Sequence, residues 1–269
     1  MSPADKTRLD ILITDLGIAA SREEAQALIR RGAILVNEIP VEKPGIKIEP
    51  GATIRCRYQP PRFASRGGEK LDHALKTFEL SVKNRVCADL GSSTGGFVDC
   101  LLQNGARKVY AIDVGYGQLH ESLRTDPRVA VMDRTNARHL SPEAFPDPVE
   151  VVTADLSFIS LRLVLPAVRA ILSPKGWAML LVKPQFEIGK GRVGKGGIVR
   201  QPEDHRDVLV DFIDRANADW TVRGLEPSPI RGKDGNIEFL AWVEPGHGTS
   251  AVDIEDIVTK AHGTERTKR

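Results

Sequence analysis

Short runs of apolar residues recur along most of the chain, separated by stretches in which apolar and polar positions have a helical spacing. The runs cover residues 86–90, 109–112, 129–132, 151–154, 178–182, 221–225 and 237–243. Strands that alternate with helices are typical of a mainly parallel sheet with helices on both faces. The pattern therefore predicts an α/β fold built on a seven-stranded, mostly parallel sheet.

The first part of the chain has a different pattern. An amphipathic helix is predicted around residues 9–16, and a second helix begins after Ser21. Ser21 and Glu24 have the spacing of a capping box, and Gly32 follows the last turn of the second helix as a C-cap. Short strands are expected next, at 34–36 and 53–57. This segment is therefore predicted to form a separate small α+β domain.

Two consecutive prolines, Pro60 and Pro61, separate these regions, because proline removes a backbone donor and disfavours helix in the residue before it. We expect a small domain at 1–58, a linker at 59–64 and a large domain at 65–269. Between residues 55 and 70 the chain has five basic residues and one acidic residue. Arg62 and Arg66 in this strip are candidate RNA contacts, and a solvated linker is the alternative.

Composition narrows the kind of protein that this chain can be. The formal net charge of its 269 residues is only +2, so contact with nucleic acid would have to come from local basic patches. Cys56, Cys87 and Cys100 fit neither a disulfide framework nor a zinc site, and no metal site is expected. We find neither an apolar signal segment nor a run of ~18 apolar residues that would span a membrane. A cytoplasmic protein without membrane contact is expected.

The first strand of the predicted sheet leads into the glycine-rich segment ADLGSSTGGF at 88–97, the place where open α/β sheets bind ligands. A dinucleotide site would have the pattern G-x-G-x-x-G, whereas this loop is G-x-x-x-G-G and follows an acid. The acid favours a cationic or zwitterionic ligand over a pyrophosphate. The candidate cofactor-binding residues are Asp89, Gly91, Ser92, Ser93, Thr94, Gly95, Gly96 and Phe97.

Acidic residues also end the next two strands of the predicted sheet. Asp113 could accept hydrogen bonds from ribose hydroxyls, and Asp133 could meet an adenine amino group. A single acid in this position is more often a cap or a turn residue. Three successive strands that each end in Asp beside a glycine-rich loop indicate a cofactor that contains a nucleoside.

Asp155 and Lys183 follow the fourth and fifth strands of the predicted sheet and should project from its carboxyl edge toward the cofactor. A lysine is an unusual choice there for structural reasons alone. Both residues are candidates for catalysis, and a simple salt bridge between them at the sheet edge is the alternative.

Five separated motifs resemble those of the TlyA group of FtsJ-like ribose methyltransferases: LGSSTGGF, DVGYGQL, ADLSFIS, VKPQFE and GNIEF. The likeness runs nearly the length of the chain, and residues 7–54 resemble an S4-like RNA-binding domain. The resemblance implies a Rossmann-like class I methyltransferase fold, S-adenosyl-L-methionine as cofactor, and methylation of a cytidine 2′-hydroxyl in ribosomal RNA. It also implies a catalytic tetrad of Lys70, Asp155, Lys183 and Glu238, with Asp155 beside the cofactor as well.

The tetrad suits the chemistry of this reaction. A ribose 2′-hydroxyl is a poor nucleophile, so its proton must be removed while the oxygen is held in line with the methyl group. We expect burial and the neighbouring cation Lys70 to push Lys183 toward the neutral, basic form, and Asp155 and Glu238 to offset part of that push. We therefore expect Lys183 to act as the base, while Lys70, Asp155 and Glu238 orient and tune it.

RNA contacts are expected from both domains. In the S4-like domain, the resemblance directs the second helix and the following loop toward phosphates, which indicates Arg22, Arg30, Arg31 and Asn37. Arg8 is a further candidate RNA contact of this domain. In the large domain, the loop 189–197 has the spacing G-x-x-x-x-G-K of a phosphate loop, but Gly196 stands where Ser or Thr is needed. We interpret this segment as a mobile basic loop that contacts RNA through Lys190, Arg192 and Lys195.

Two other functions are weighed against RNA methylation. Relatives in this group have carried a haemolysin label, but the sequence has neither a membrane span nor a basic helix with a strongly apolar face. A methyltransferase for small molecules is disfavoured by the attached RNA-binding domain.

Overall fold

The structure is a computed structural model that describes residues 6–57, 61–189, 191–232, 234–248 and 250–263. The chain divides into two compact units, Met1–Pro61 and Arg62–Arg269. Each unit has its own apolar core, so each is described by itself.

The small unit combines two helices with short antiparallel strands. Its elements are β1 (Thr7–Arg8), α1 (Leu9–Asp15), α2 (Arg22–Arg30), β2 (Ile34–Val36), β3 (Ile39–Val41), β4 (Lys47–Ile48) and β5 (Ile54–Cys56). Strand β2 lies between β3 and β5, and β1 pairs with β4. Ser21 accepts a hydrogen bond from the backbone N–H of Glu24, as the capping pattern predicts. The sequence does not predict strands β1, β3 and β4, because β1 and β4 have only two residues and Pro40 argues against a strand at β3.

The core of the small unit follows from helical spacing. Leu9 and Ile13 are four residues apart on α1, and Ala25 and Ile29 are four residues apart on α2. Side chains at this spacing lie on one face of a helix. All four are completely buried together with Ile34 from β2, so the two helices pack on the small sheet through these faces.

The large unit is built on a seven-stranded sheet, as predicted. Its strands are β6 (Val86–Leu90), β7 (Lys108–Ile112), β8 (Val129–Met132), β9 (Val149–Ala154), β10 (Leu172–Val182), β11 (Trp220–Pro227) and β12 (Phe239–Pro245). The strand order is β11-β12-β10-β9-β6-β7-β8. Strand β12 runs antiparallel to both of its neighbours, and the other pairs are parallel.

Helices cover both faces of this sheet. They are α3 (Gly67–Thr77), α4 (Gly96–Gln103), α5 (Glu121–Arg124), α6 (Leu165–Ile171), α7 (Pro184–Glu187), α8 (Pro202–Ala216) and α9 (Ile254–Gly263). Leu180 of β10 joins a core with the helices α6, α8 and α9, whereas its neighbour Met179 joins a second core with α3 and α4. Successive residues of a strand point to opposite faces, so the two cores lie on the two sides of the sheet.

The predicted linker does not match the packing at its end. Phe63 is buried in the core of the large unit, and an added Cβ at Gly68 would collide with its ring. Arg62 pairs with Asp72 of α3, and the backbone N–H of Ala64 donates to Asp99 of α4 at 2.8 Å. These residues therefore belong to the large unit, because Phe63 contributes apolar surface to its core. Residues 59 and 60 lie outside the described ranges.

Candidate active site

The glycine-rich loop passes closely over the carboxyl edge of the sheet. The backbone N–H groups of Gly91 and Ser92 both donate to the carbonyl of Ile112, at 2.8 and 3.1 Å. Gly91 has φ +83°, and an added Cβ there would lie 2.8 Å from the carbonyl oxygen of Asp155. Only glycine tolerates both this conformation and this approach. The loop is thereby held between the ends of β7 and β9.

Two further glycines shape the start of α4. Gly95 has φ +97°, and an added Cβ would collide with the side chains of Leu119 and Leu123. Gly96 allows α3 to approach, since an added Cβ would collide with Ser65 Oγ and lie 2.9 Å from the backbone nitrogen of Gly68. These positions need glycine for packing as well as for ligand access.

Asp113 lies beside the loop, as predicted. Its Oδ2 accepts the backbone N–H of Ser93 at 2.8 Å, and its Oδ1 accepts the backbone N–H of Gly115 at 2.7 Å. The carboxylate is half-buried and fixes the loops that follow β6 and β7.

The other two acids of the predicted cofactor site have protein partners. Asp133 forms an ion pair with Arg124 at 2.9 Å, so its carboxylate is engaged within the protein. Asp89 is buried and accepts a hydrogen bond from Thr153 Oγ1 at 2.6 Å. Burial raises the pKa of the Asp89 carboxyl to about 7. Asp89 thus links β6 to β9 under the loop.

The predicted tetrad comes together from four distant parts of the chain. Lys70 Nζ lies 2.6 Å from Glu238 Oε2 and 3.5 Å from Asp155 Oδ2. Lys183 Nζ lies 2.5 Å from Asp155 Oδ1 and donates to Ser157 Oγ at 3.1 Å. Asp155 therefore bridges the two lysines, and the predicted salt bridge between Asp155 and Lys183 is one part of a larger cluster.

Topology explains why these residues meet. Asp155 and Lys183 directly follow the parallel strands β9 and β10, so both lie at the carboxyl edge. Glu238 directly precedes β12, and the start of this reversed strand lies at the same edge. Lys70 comes from α3 and is buried against them.

A cleft of ≈730 Å³ joins the tetrad to the glycine-rich loop. All four tetrad residues line it. The predicted loop residues that also line it are Gly91, Ser92, Ser93, Thr94, Gly96 and Phe97. Asp89, Gly95, Asp113 and Asp133 are not among its lining residues, because they support the loop from behind or pair elsewhere in the unit.

The sequence prediction missed an aromatic pair at the mouth of the cleft. Phe158 is 91% exposed and has φ +62°, a conformation that is unusual for a bulky residue. Its ring lies 5.3 Å from the ring of Phe186, and both residues line the cleft. The motif ADLSFIS contains this phenylalanine, but the sequence alone does not show that it is exposed or that it lines the same cleft as Asp155.

A half-buried glutamate and a buried asparagine hold the walls of the cleft. Glu187 accepts hydrogen bonds from Ser160 Oγ at 2.5 Å and from the backbone N–H of Leu161 at 2.8 Å, and burial raises its pKa. Asn236 accepts the backbone N–H of Val199 and donates to the carbonyl of Gly197, each at 2.9 Å. Glu187 thus ties α7 to the Phe158 loop, and Asn236 ties the 197–199 segment to the residues before Glu238.

The predicted RNA-binding residues of the large unit differ in whether they form ion pairs within the protein. Arg192 pairs with both Asp204 and Asp207, and Arg62 pairs with Asp72 and lies 4.6 Å from the Phe63 ring. Arg66 is exposed and lines the cleft, and Lys195 is exposed as well. Lys190 lies outside the described residues.

In the small unit, Asp10 organises the basic residues. Its buried carboxylate accepts hydrogen bonds from Arg8 at 2.9 Å, from Arg22 at 3.2 Å and from Gln26 at 3.1 Å. The Arg8 guanidinium holds the pKa of Asp10 well below its usual range. Gln26 in turn accepts from Arg30 at 3.1 Å, so one network orders several of the predicted RNA contacts.

Two other predicted contacts of this unit lie outside that network. Arg31 is exposed next to the end of α2. Asn37, at φ +50°, accepts the backbone N–H of Thr53 at 2.9 Å, so its side-chain oxygen fixes the turn after β2.

The family model described as FtsJ-like methyltransferase matches residues 63–244, which include the complete tetrad. The chain belongs to this family. The model of the S4 domain matches residues 7–54, the segment for which that domain is predicted. This FtsJ-like methyltransferase is therefore an enzyme with an S4 domain in front of its catalytic domain.

Similar proteins cover nearly all of this methyltransferase. A Bacillus subtilis protein, provisionally named as the rRNA methyltransferase YqxC, is 47% identical over 98% of this chain and 97% of its own. The Mycobacterium tuberculosis 16S/23S rRNA (cytidine-2′-O)-methyltransferase TlyA is 43% identical over 96% of this chain and 98% of its own. A solved Streptococcus thermophilus structure, described provisionally as a hemolysin, is 40% identical with a TM-score of 0.74 and covers 97% of this chain and 98% of its own.

The cofactor of this methyltransferase is S-adenosylmethionine, and the cleft fits it. Its volume of ≈730 Å³ lies within the roughly 300–1,000 Å³ of small-molecule sites. Gly91, Ser93 and Gly95 all have positive φ, which turns the loop so that a ligand can approach its backbone. Hydroxyl groups of Ser92, Ser93 and Thr94 are available along the same wall.

Proposed function

We propose that this methyltransferase transfers the methyl group of S-adenosylmethionine to a ribose 2′-hydroxyl of ribosomal RNA, and that the target nucleotide is a cytidine. The observation that carries the proposal is the tetrad of Lys70, Asp155, Lys183 and Glu238 in the wall of the cofactor cleft. Its two lysines and two carboxylates compensate one another when ionised, so the cluster can be buried without a net charge.

The contacts within the tetrad divide the roles. The cofactor supplies, when bound, a methyl group on a positively charged sulfur. Lys70 Nζ contacts the carboxylates of two residues, whereas Lys183 Nζ contacts one carboxylate and the hydroxyl of Ser157. We assign the neutral form of Lys183 Nζ as the atom that takes the 2′-hydroxyl proton, because this nitrogen has fewer carboxylate partners to hold it in the charged form than Lys70 Nζ has. Asp155 orients both lysines, and Glu238 fixes Lys70.

The aromatic pair supports an RNA substrate. A side cavity of ≈280 Å³ adjoins the cleft and is lined by Phe158, Phe186 and Gln185. Enzymes that modify a nucleotide take it out of the base stack and stack its base on aromatic side chains. We assign Phe158 and Phe186 as the platform for the target base, which would bring its ribose toward Lys183.

Gln185 offers a way to recognise cytidine. Its Oε1 is buried and has no hydrogen-bond partner among the described residues. A side-chain amide carries an acceptor and a donor, and these complement the amino group and ring nitrogen on the pairing edge of cytosine. The name of the Mycobacterium tuberculosis relative specifies the same nucleotide. We therefore assign Gln185 to the base edge.

The S4 domain and the names of the relatives support ribosomal RNA as the partner. In the small unit, the Asp10 network holds the exposed Arg8 of β1 and Arg22 of α2, where phosphates can reach them. The exposed Arg66 and Lys195 of the large unit would add contacts near the cleft. An enzyme of ribosomes would act in the cytoplasm.

Membrane lysis is the alternative that the hemolysin description of a similar structure raises. Within the described ranges, no helix is both long enough and apolar enough to pass through a membrane. The tetrad and its cleft account for methyl transfer and have no role in lysis, so the observations favour the enzyme.

The decisive experiment uses ribosomal subunits from cells that lack the enzyme. Incubation with the purified protein and labelled S-adenosylmethionine should place label in ribosomal RNA at a cytidine. Methylation of its 2′-oxygen should make the adjacent 3′-phosphodiester bond resistant to alkaline cleavage. The Lys183→Ala variant should give no label. Label on a base, or none with the wild-type protein, would refute the proposal.

A further inference from the structure

A second concave surface lies in the large unit, away from the catalytic cleft. We call it the basic hollow and define it by Lys83, Arg85, Arg107, Lys175 and Glu150, which line a cavity of ≈680 Å³. Lys83, Arg107 and Lys175 are exposed, and Arg85 is half-buried. The hollow therefore gathers four cations and one carboxylate on a protein whose net charge is only +2.

The four cations are unpaired in the described part of the chain, where none of them lies within 4.0 Å of a carboxylate. Neighbouring cations behave differently: Lys108 pairs with Asp147 at 2.8 Å, and Arg128 pairs with Asp126 at 2.7 Å. The carboxylate of Glu150 is directed to the backbone, since its Oε2 accepts the N–H of Val86 at 3.0 Å. Within the described residues, four cations against the one carboxylate of Glu150 leave the hollow with a net positive charge and no ion pair, although Arg107 is close enough to lower the pKa of the Asp147 carboxyl.

The hollow lies at the amino edge of the sheet. Arg85 directly precedes β6, and Arg107 directly precedes β7, whereas the glycine-rich loop follows the far end of β6. Lys175 lies in the irregular stretch of β10 between Leu172 and Trp177. The five residues of β6 separate the hollow from the cofactor loop by roughly 17 Å at about 3.3 Å per residue.

We infer that the basic hollow binds the phosphodiester backbone of the RNA substrate, at a distance from the methylated nucleotide. The four cations stand on flexible side chains of three separate segments, two of them at residues 83–85 and one each at Arg107 and Lys175, an arrangement that matches successive phosphates of a polymer. A site for one small anion would instead converge backbone N–H groups on a point, as at a phosphate loop. A polyanion would also relieve the mutual repulsion of the four cations.

This inference rests on the proposed RNA substrate and extends it. An RNA that contacts both edges of the sheet must extend well beyond the methylated nucleotide, as a ribosomal RNA does. The hollow should therefore contribute to affinity for ribosomal subunits and leave the chemistry at Lys183 untouched.

The test compares two triple variants of the full-length protein. One replaces the exposed cations of the hollow, Lys83→Gln, Arg107→Gln and Lys175→Gln. The control removes the same charge from paired surface arginines, Arg206→Gln, Arg215→Gln and Arg223→Gln, whose carboxylate partners are Glu255, Asp211 and Glu244. Binding to ribosomal subunits is measured between 50 and 300 mM salt, together with the melting temperature and S-adenosylmethionine affinity.

The hollow variant should lose tenfold or more in affinity for subunits, and the slope of log affinity against log salt should fall by about 2 to 3, since each lost phosphate contact removes ~0.7–0.9. The control variant should keep both values, and a Lys83→Arg, Arg107→Lys, Lys175→Arg variant should retain affinity. Unchanged affinity and slope in a folded hollow variant would overturn the inference. So would stabilisation by inorganic phosphate with unaltered subunit binding, which would indicate a small-anion site.

Failure of the proposed function gives a different result. In that case the wild-type protein itself would neither bind subunits in a salt-dependent way nor methylate their RNA, and both proposals would fall together. If the wild-type protein methylates and the hollow variant equals it in binding, only the inference about the hollow is wrong.

Discussion

At the scale of single residues, the two lysines of the proposed tetrad differ in their contacts: Lys70 Nζ contacts two carboxylates, and Lys183 Nζ contacts one carboxylate and a hydroxyl. Lys183→Ala should lower the single-turnover rate by ~10²–10⁴-fold, because it removes the residue that we propose as the general base. Lys183→Arg should fail as well, since a guanidinium remains protonated and cannot accept the hydroxyl proton. Rates are measured at saturating RNA and cofactor, with cofactor affinity as the control. Activity of Lys183→Arg within a few-fold of wild type would limit this lysine to positioning.

Phe158 has a backbone conformation that costs stability, and its side chain is almost fully exposed, with the ring of Phe186 as an aromatic contact. Its φ of +62° suits glycine better, and its ring is 91% exposed. Phe158→Gly should therefore melt no lower than wild type, yet lose about tenfold or more in kcat/KM, because base stacking contributes ~1–3 kcal/mol. Phe158→Trp should retain most activity. Equal kcat/KM for Phe158→Gly and wild type would remove Phe158 from the platform.

At the scale of elements, α8 and α9 meet through two histidines. His205 Nδ1 lies 3.0 Å from His262 Nε2, and His205 is completely buried. Burial, His262 and Arg231 lower the pKa of His205 to about 4, against the opposing effect of Asp204. The neutral form is thus preferred in the fold, so stability that is complete above about pH 6.5 is lost as the pH falls toward 4.

We expect the free energy of unfolding to be about 2 kcal/mol lower at pH 5 than at pH 7. Each pH unit below the unfolded pKa of about 6.5 costs about 1.36 kcal/mol until the folded pKa of about 4 is reached. Denaturant unfolding at the two pH values measures it. His205→Leu should shrink the difference, and replacement of the exposed His139 by Gln should leave it unchanged. An undiminished pH dependence in His205→Leu would assign the effect to other groups.

The elements also show what a sequence can predict. The strands β6 to β12 can be predicted from the sequence because buried strands of a mostly parallel sheet are continuously apolar. Asp155 and Lys183 can be predicted as site residues because each follows such a strand directly. Arg62 and Arg192 read equally well as RNA contacts, yet they pair with Asp72 and with Asp204 and Asp207. Which distant carboxylate a surface arginine meets depends on tertiary structure, and no local pattern encodes it.

For the whole molecule, binding and chemistry should be separable, because the S4 domain and the tetrad belong to different compact units. Reversing Arg30 and Arg31 to Glu should weaken RNA binding and reduce its salt dependence, while cofactor affinity stays as in wild type. The matched control reverses the exposed Lys43 and Lys47 of the same unit. Filter binding at several salt concentrations measures RNA affinity, and calorimetry measures cofactor affinity. Equal losses of RNA affinity in both variants would show that the effect comes from net charge alone and not from the position of Arg30 and Arg31.

The position of the reversed strand β12 in the chain also determines when the fold can be completed during synthesis. Glu238 follows its partner Lys70 by 168 residues, which takes a ribosome roughly 8–34 s at ~5–20 residues per second. Strand β11 pairs only with β12 in the sheet, so it too waits for the later strand before it can join. The sheet is therefore completed, and the tetrad closed, only after β12 has been made. A nascent or prematurely terminated chain can carry the whole glycine-rich loop and still lack the machinery to methylate the ribosome on which it is being synthesised.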